Sequence, residues 1–180
     1  SDSILKAIGD FKPDYIVNCA AYTAVDRAEA EPEVAHKLNV VGPSKLAAAA
    51  VIFGARLIHI STDYVFDGMR QFPYAWREDD LAKPQTVYGQ TKLEGEKAVL
   101  STSGCDGIVL RTAWLYSPRG HNFLKTVLRL AATSTPDTIR KIVNDQYGCP
   151  TSASELAKQI LFIIESPTYL DRGVYHTVCS

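Results

Sequence analysis

The sequence predicts an α/β protein built on a doubly wound, mostly parallel sheet. Two observations lead there: short apolar runs recur along the chain, and stretches with helical periodicity separate them. Strands joined through helices run parallel by right-handed crossovers. No internal repeat, low-complexity tract or linker interrupts the alternation.

Each element has its own signal. Residues 15–20, after Lys12-Pro13-Asp14, read as a buried strand entering a loop. Residues 31–51 are helical, with Val34, Leu38, Val41, Leu46 and an alanine run able to pack closely on a sheet. Gly54 introduces a second strand at 56–61. Residues 67–85 mix glycine, proline and charge without periodicity and form a surface loop. A loop of that length inside a compact domain is more often functional than idle. A helix charged on one side follows at 88–100, then a third strand at 107–112. Residues 122–132 form a helix carrying Phe123, Val127, Leu128 and Leu130. A fourth strand is expected at 138–143, a helix at 154–165 and a last short strand at 174–178.

At 180 residues, 46% hydrophobic and 22% charged, the chain is that of a soluble globular protein, one domain or one plus part of another. That length supports a core without disulfide or metal staples. Its 19 basic and 20 acidic residues leave a net charge of −1 and no basic stripe, which argues against nucleic acid and anionic membrane as partners. An anionic small ligand stays open, because backbone amides and a few cations suffice to hold phosphate. Cys19, Cys105, Cys149 and Cys179 form no CxxC pair and have no zinc-like spacing with His36, His59, His121 or His176. Reduced thiols, no metal site and a cytoplasmic location are therefore expected. No signal peptide and no apolar run long enough to span a bilayer is present in the sequence.

In open parallel sheets, ligands bind beyond the carboxyl ends of the strands. The first strand exits into Asn18-Cys19-Ala20-Ala21-Tyr22-Thr23, where small residues would let a flat group approach the backbone; an ordinary strand-to-helix loop accounts for the same residues. The second exits into Ser61-Thr62-Asp63-Tyr64, two hydroxyls and a carboxylate that either serve chemistry or satisfy a turn. Tyr88 and Lys92 then stand four apart at the start of a helix, on one face. A free phenol has a pKa of about 10, and a nearby ammonium is expected to lower it toward the range useful for proton transfer. A tyrosine and lysine at this spacing are common on helices by chance. Their order after the Ser-Thr pair and the long loop is what singles them out. Trp114, just past a strand end, reads equally as a core aromatic.

The blocks Ile60-Ser61-Thr62-Asp63-Tyr64-Val65-Phe66-Asp67-Gly68 and Tyr88-Gly89-Gln90-Thr91-Lys92-Leu93-Glu94-Gly95-Glu96, with Asn18 to Thr23 and Leu38-Asn39-Val40, resemble the extended short-chain dehydrogenases/reductases. Within them the chain is similar to the dTDP-4-dehydrorhamnose reductase family, also through Arg111-Thr112-Ala113-Trp114, Asn122-Phe123 and the segment from Asn144 to Thr151. The resemblance implies a Rossmann-like fold and hydride transfer from NADPH or NADH to C4 of a dTDP-4-dehydro-6-deoxy-L-mannose, giving dTDP-L-rhamnose. It implies a catalytic set of Thr62, Tyr88 and Lys92, with Tyr88 as proton donor and Thr62 bonding the substrate oxygen. It implies that Ala20, Ala21, Thr23, Tyr88 and Lys92 line the cofactor. Thr62, Asp63 and Trp114 would meet the dTDP-sugar, and Asn39 would fix the active-site backbone.

The chain departs from the family pattern at both ends. None of its eleven glycines forms a GxGxxG turn, and Gly104-Cys105-Asp106-Gly107 precedes a strand instead of following one. The expected fold therefore lacks the family's first βαβ unit and part of its C-terminal substrate lobe. Residues 1–143 would be an incomplete cofactor-binding and catalytic domain, and residues 144–180 the start of the substrate-binding lobe. The residue that selects NADP over NAD would fall in the lacking part, so both cofactors stay open. An exposed sheet edge is expected to make the chain aggregate or associate with copies of itself, and a homodimer stays open. Two other readings remain on the same fold: a non-catalytic regulatory subunit like the β subunit of methionine adenosyltransferase, and a sugar-nucleotide epimerase or dehydratase. A dehydratase would need a second acid beside Asp63, where the chain has Tyr64.

Overall fold

The computed structural model describes residues 2–133 and 144–179. In chain order the elements are α1 (Asp2–Phe11), β1 (Tyr15–Asn18), α2 (Val25–Ala30), α3 (Pro32–His36), a π-helical turn (Lys37–Val41) and α4 (Gly42–Phe53). Next come β2 (Arg56–Thr62), a 3₁₀ turn (Asp63–Val65), α5 (Val87–Ser101), β3 (Gly107–Thr112) and β4 (Leu115–Tyr116). The chain goes on through α6 (Phe123–Ala132), β5 (Thr151–Ser152), α7 (Ala153–Glu165) and β6 (Gly173–His176). The strand expected at 138–143 lies outside the described residues. Two helices, α1 and α2, were not expected from the sequence, and the last strand closes at His176.

The main sheet has the order β1-β2-β3-β6, and every pairing is parallel. Alternation along the strands sorts its side chains onto two faces. One face carries Ile58, Ile108 and Leu110, which α7 covers with Ile160, Ile163 and Ile164. The other carries Ile16, Leu57, Val109 and Val174 beneath Ala47 and Ala50 of α4 and Val99 of α5. Leu57, Ile58, Ile108 and Val109 are fully buried, each worth roughly 1.5–3 kcal/mol relative to exposure. The alanines of α4 let its backbone lie close to the sheet. Among the described residues β1 pairs with β2 alone, and Val17 on its strand remains 37% exposed. This is the open edge that the sequence leads one to expect.

The face under α5 changes character along the strands. Its apolar row gives way one step on to Asn18 and His59, and then to Ser61, Arg111 and His176. Register puts Asn18 beside His59, Ser61 beside Arg111, and Arg111 beside His176. The upper part of this face is thus a polar layer at the carboxyl ends of the strands, where a ligand is expected.

Residues 153–176, which the sequence assigns to the start of a substrate lobe, supply α7 and β6 to the main sheet. The apolar stripe of α7 finds its complement in the bare face of β2 and β3, which is why this segment joins the sheet body. A separate two-stranded parallel pair, β4 with β5, carries the chain away beyond β3.

The long loop after Val65 is anchored by stacked side chains. Phe66 lies parallel to Trp76 with ring centroids 4.6 Å apart, and the Arg70 guanidinium lies over the Trp76 ring at 4.1 Å. Arg70 also pairs with Asp80 at 2.7 Å, and the Glu78 carboxylate accepts from the backbone N–H of His176 at 2.9 Å. The loop is therefore tied to both the 3₁₀ turn and β6. Among the described residues no helix is long and apolar enough to cross a membrane.

Candidate active site

The carboxyl end of β2 presents Thr62, and the 3₁₀ turn that follows folds its neighbours back over it. Thr62 caps that turn: its Oγ1 accepts from the Tyr64 N–H at 3.2 Å and donates to Asp63 Oδ1 at 3.2 Å. Thr86 caps α5 in the same way, its Oγ1 accepting from the Gly89 N–H at 3.0 Å. The Glu29 carboxylate on α2 accepts from the Val87 N–H at 2.9 Å, so two oxygens hold the amino end of α5. An acceptor there also suits the partial positive charge of a helix start.

Tyr88 and Lys92 project from this end of α5 toward the sheet, as their spacing predicts. The Tyr88 phenol lies beside the Thr62 hydroxyl, and its ring packs edge-on against the Tyr64 ring, with centroids 5.5 Å apart. Burial pushes the Tyr88 phenol above its ordinary pKa, and the neighbouring Thr62 hydroxyl offsets this in part. The expected lowering by Lys92 is not found. The Lys92 ammonium is turned to the Ile60 carbonyl, 2.6 Å away, and is itself desolvated at 2% exposure. Burial brings Lys92 down to about 8, against the attraction of Glu96 and Cys19. Burial also raises Asp63, whose bond from Thr62 works the other way.

Asn39 holds the floor of the site through three bonds. Its Oδ1 accepts from the Tyr22 N–H at 2.8 Å, while its Nδ2 donates to the Tyr22 carbonyl at 3.1 Å and to Thr91 Oγ1 at 3.0 Å. The exit loop of β1 is thereby tied to α5. Asn39 lies in the π-helical turn, and sequence explains the turn: residue Pro43, four positions on, has no N–H to give the Asn39 carbonyl. A π turn of this kind often marks a functional site.

A second tie joins β1 to β2. Asn18 Oδ1 accepts from the Ala20 N–H at 3.1 Å, which orients the amide, so its Nδ2 donates to His59 Nδ1 at 2.9 Å. His59 must then be neutral with its proton on Nε2. Burial, with Lys92 nearby, depresses its pKa to about 3, so the ring adds no second positive charge beside the lysine.

Beneath the trio lies a charged network that the sequence alone did not reveal. Arg111 forks onto Glu96, with Nε 3.0 Å from Oε1 and Nη2 2.7 Å from Oε2. Ser61 Oγ donates to Glu96 Oε1 at 2.5 Å. The guanidinium also lies 5.1 Å from the Phe66 ring centroid and reaches the Glu78 carbonyl at 3.4 Å. Glu96 follows Lys92 by four residues and so lies on the same buried face, a spacing that could have pointed to it. Thr112, beside Thr62 in register, has a buried hydroxyl without a hydrogen-bond partner among the described residues.

The structure thus gathers Thr62, Asp63, Tyr88 and Lys92, with Asn39 behind them. Ala20, Ala21 and Thr23 line the β1 exit, where Cys19 is close enough to act on the Lys92 charge. No hydrogen bond ties Thr23 to the trio among the described residues. Trp114 stands apart and is no core ring: it is 42% exposed, in left-handed backbone with φ 46°. Its indole rests on Gly148, where a Cβ would come within 2.7 Å of the ring.

A parallel α/β sheet with threonine at one strand end, and tyrosine and lysine one turn apart on the next helix, defines the short-chain dehydrogenase/reductase type of site. The chain belongs to the RmlD substrate binding domain family, whose model matches residues 1–180. It is 46% identical over 178 residues to a dTDP-4-dehydrorhamnose reductase of Sinorhizobium fredii, covering 97% of this chain and 58% of that protein. A dTDP-4-dehydrorhamnose reductase structure from Clostridium acetobutylicum superposes with a TM-score of 0.87 at 44% identity, over 98% of this chain and 60% of that one. The Bacillus anthracis reductase, solved with NADP, gives 0.88 at 35% identity, over 99% of this chain and 60% of that one. The chain spans somewhat under two thirds of each of these relatives.

Proposed function

We propose that this chain carries the catalytic centre of an NAD(P)H-dependent dTDP-4-dehydrorhamnose reductase. The observation that carries the reading is the placement of the Tyr88 phenol beside the Thr62 hydroxyl, with Lys92 one turn further along α5. The raised phenol pKa keeps Tyr88 protonated near neutrality but makes it a weaker acid, which a positive charge able to stabilise the phenolate must offset. In this reading Tyr88 gives its proton to the C4 carbonyl oxygen of dTDP-4-dehydro-6-deoxy-L-mannose. Thr62 turns its hydroxyl from Asp63 to the same oxygen, and the Lys92 ammonium stabilises the phenolate left behind. The Trp114 indole and the Asp63 carboxylate face the sugar. A nucleotide-sugar substrate suits a cytoplasmic enzyme.

The residues present fit the nicotinamide-ribose end of the cofactor. Small side chains at Cys19, Ala20 and Ala21 leave the β1 exit open beside a buried ammonium able to donate to ribose hydroxyls. When bound, the reduced nicotinamide supplies the hydride that reaches C4, so the carbonyl becomes a CH–OH. No glycine-rich pyrophosphate turn occurs in this sequence.

The test is NAD(P)H oxidation, followed by absorbance, with that keto-sugar nucleotide. The 180-residue chain is compared with a version joined to an amino-terminal glycine-rich βαβ unit. Substrate-dependent oxidation in the extended version supports the reading. A folded, cofactor-binding extended version that oxidises nothing overturns it in favour of a regulatory or epimerase role.

A pH dependence follows from Lys92. The role above needs the ammonium, and the ammonium is lost as pH rises through about 8. The kcat/KM profile, which reports the free enzyme, is therefore expected to fall on its alkaline side from near that pH. A plateau extending to about pH 10, the ordinary lysine range, would show that Lys92 acts without its charge.

A further inference from the structure

We propose that Gly89 is a positioning residue that sets the distance between Tyr88 and Thr62. The proposal rests on the reductase reading. Gly89 has ordinary helical backbone, so its lack of a side chain, and not an unusual φ, is what the fold uses. A Cβ there would lie 2.2 Å from the Tyr64 carbonyl oxygen and 3.0 Å from Pro84 Cβ. Alanine is the better helix former, so local propensity does not explain the glycine.

The close approach bears on chemistry because Tyr64 is tied to the reacting groups on both sides. Its N–H is bonded to Thr62 Oγ1 and its ring packs on Tyr88. The carbonyl of the same residue sits against Gly89, the next position along from Tyr88. One residue thus links the hydroxyl to the helix that carries the phenol, and Pro84 of the long loop closes the opposite wall. A methyl group at 89 must separate turn from helix until 2.2 Å becomes at least 3.0 Å. A displacement of about 1 Å at reacting groups costs on the order of 100-fold in rate.

Lys92 lies about a turn further along α5, where its bond to the Ile60 carbonyl does not pass through Tyr64. Cofactor binding should therefore survive a change that spoils the Tyr88–Thr62 spacing. The split between turnover and cofactor affinity separates positioning from general damage.

The experiment is Gly89→Ala, read in two ways. In the version that turns over, kcat is expected to fall about 100-fold, with the NADPH dissociation constant near wild type and the melting temperature lowered by the overpacked contact. In the 180-residue chain, the nuclear Overhauser contact between the Tyr64 and Tyr88 rings is expected to weaken. Gly42→Ala, whose Cβ would meet nothing nearer than 3.8 Å, is the control and keeps both. Wild-type kcat or an unchanged ring contact in Gly89→Ala overturns the proposal. If no wild-type version turns over, the reductase reading fails and the ring contact alone decides the positioning role. Should Gly89→Ala not fold, Pro84→Gly is read instead, since it opens the same seat without adding an atom. A weakened ring contact there supports the proposal, and an unchanged one overturns it.

Discussion

Tyr88→Phe is expected to lower turnover by at least about 100-fold, the ordinary contribution of a positioned proton donor, while cofactor affinity stays nearly constant. The substitution keeps the ring, its burial and its edge-on contact with Tyr64, and removes one oxygen. Fold and cofactor side should therefore be intact, and only an interaction made as the carbonyl oxygen gains charge is lost. The signature is an equal fall in kcat and kcat/KM. Near-normal turnover in this variant would mean that the proton comes from elsewhere, with Thr62 the next group in place. Stopped-flow oxidation of NAD(P)H, with cofactor affinity measured by fluorescence quenching, reads both quantities.

Glu96→Ala is expected to give the largest loss of stability, about 3–5 kcal/mol, because it strands a buried guanidinium. Glu96 is 2% exposed, and its two oxygens take bonds from Arg111 and Ser61. Removing it leaves both donors unpaired in the interior. Replacing the pair together, as Glu96→Leu with Arg111→Met, should recover much of the loss, since an ion pair in the interior repays little more than its desolvation. Denaturant unfolding of the two single variants and the double one measures the coupling directly. A single-variant cost below about 1 kcal/mol, the range of exposed ion pairs, would show that the network is solvated in solution. The double variant would also release the Phe66 and Glu78 contacts of Arg111, so its long loop should become more open to proteolysis.

Much of the sheet could be read before any coordinates. The strands at β1, β2, β3 and β6 are short apolar runs between helical stretches, and the arrangement of Thr62, Tyr88 and Lys92 follows from where those runs end. Polar burial was harder to read. Charge on a helix usually marks its solvent face, whereas on α5 the inward stripe runs through Tyr88, Lys92, Glu96 and Val99. Only the partners identify that stripe as interior, and those partners, His59 and Ser61 on β2 and Arg111 on β3, come from two other parts of the chain. The same holds for the π-helical turn, whose cause at Pro43 is local but whose purpose, an Asn39 side chain reaching both Tyr22 and Thr91, is not. The fall in phenol pKa expected from a neighbouring lysine failed for a related reason. Sequence places the ammonium near the phenol but cannot show that a backbone carbonyl already holds it. Helix α1 carries Ile8 inward and leaves room at Gly9 for the Phe53 ring, a fit that depends on α4 and has no marker in the first ten residues.

Helix α5 also determines how this protein can change by insertion or deletion. Each residue turns a helix by about 100°, so a single residue gained between Tyr88 and Lys92 would swing one of them off the site. One lost between Lys92 and Glu96 would pull the carboxylate away from Arg111. The loop ahead of the helix can lengthen at small thermodynamic cost, provided Thr86 and Pro84 keep their places at the end. Length variation in this fold should therefore collect between Gly68 and Lys83 and be absent from residues 84–99, a pattern that a scan of single-residue insertions would expose.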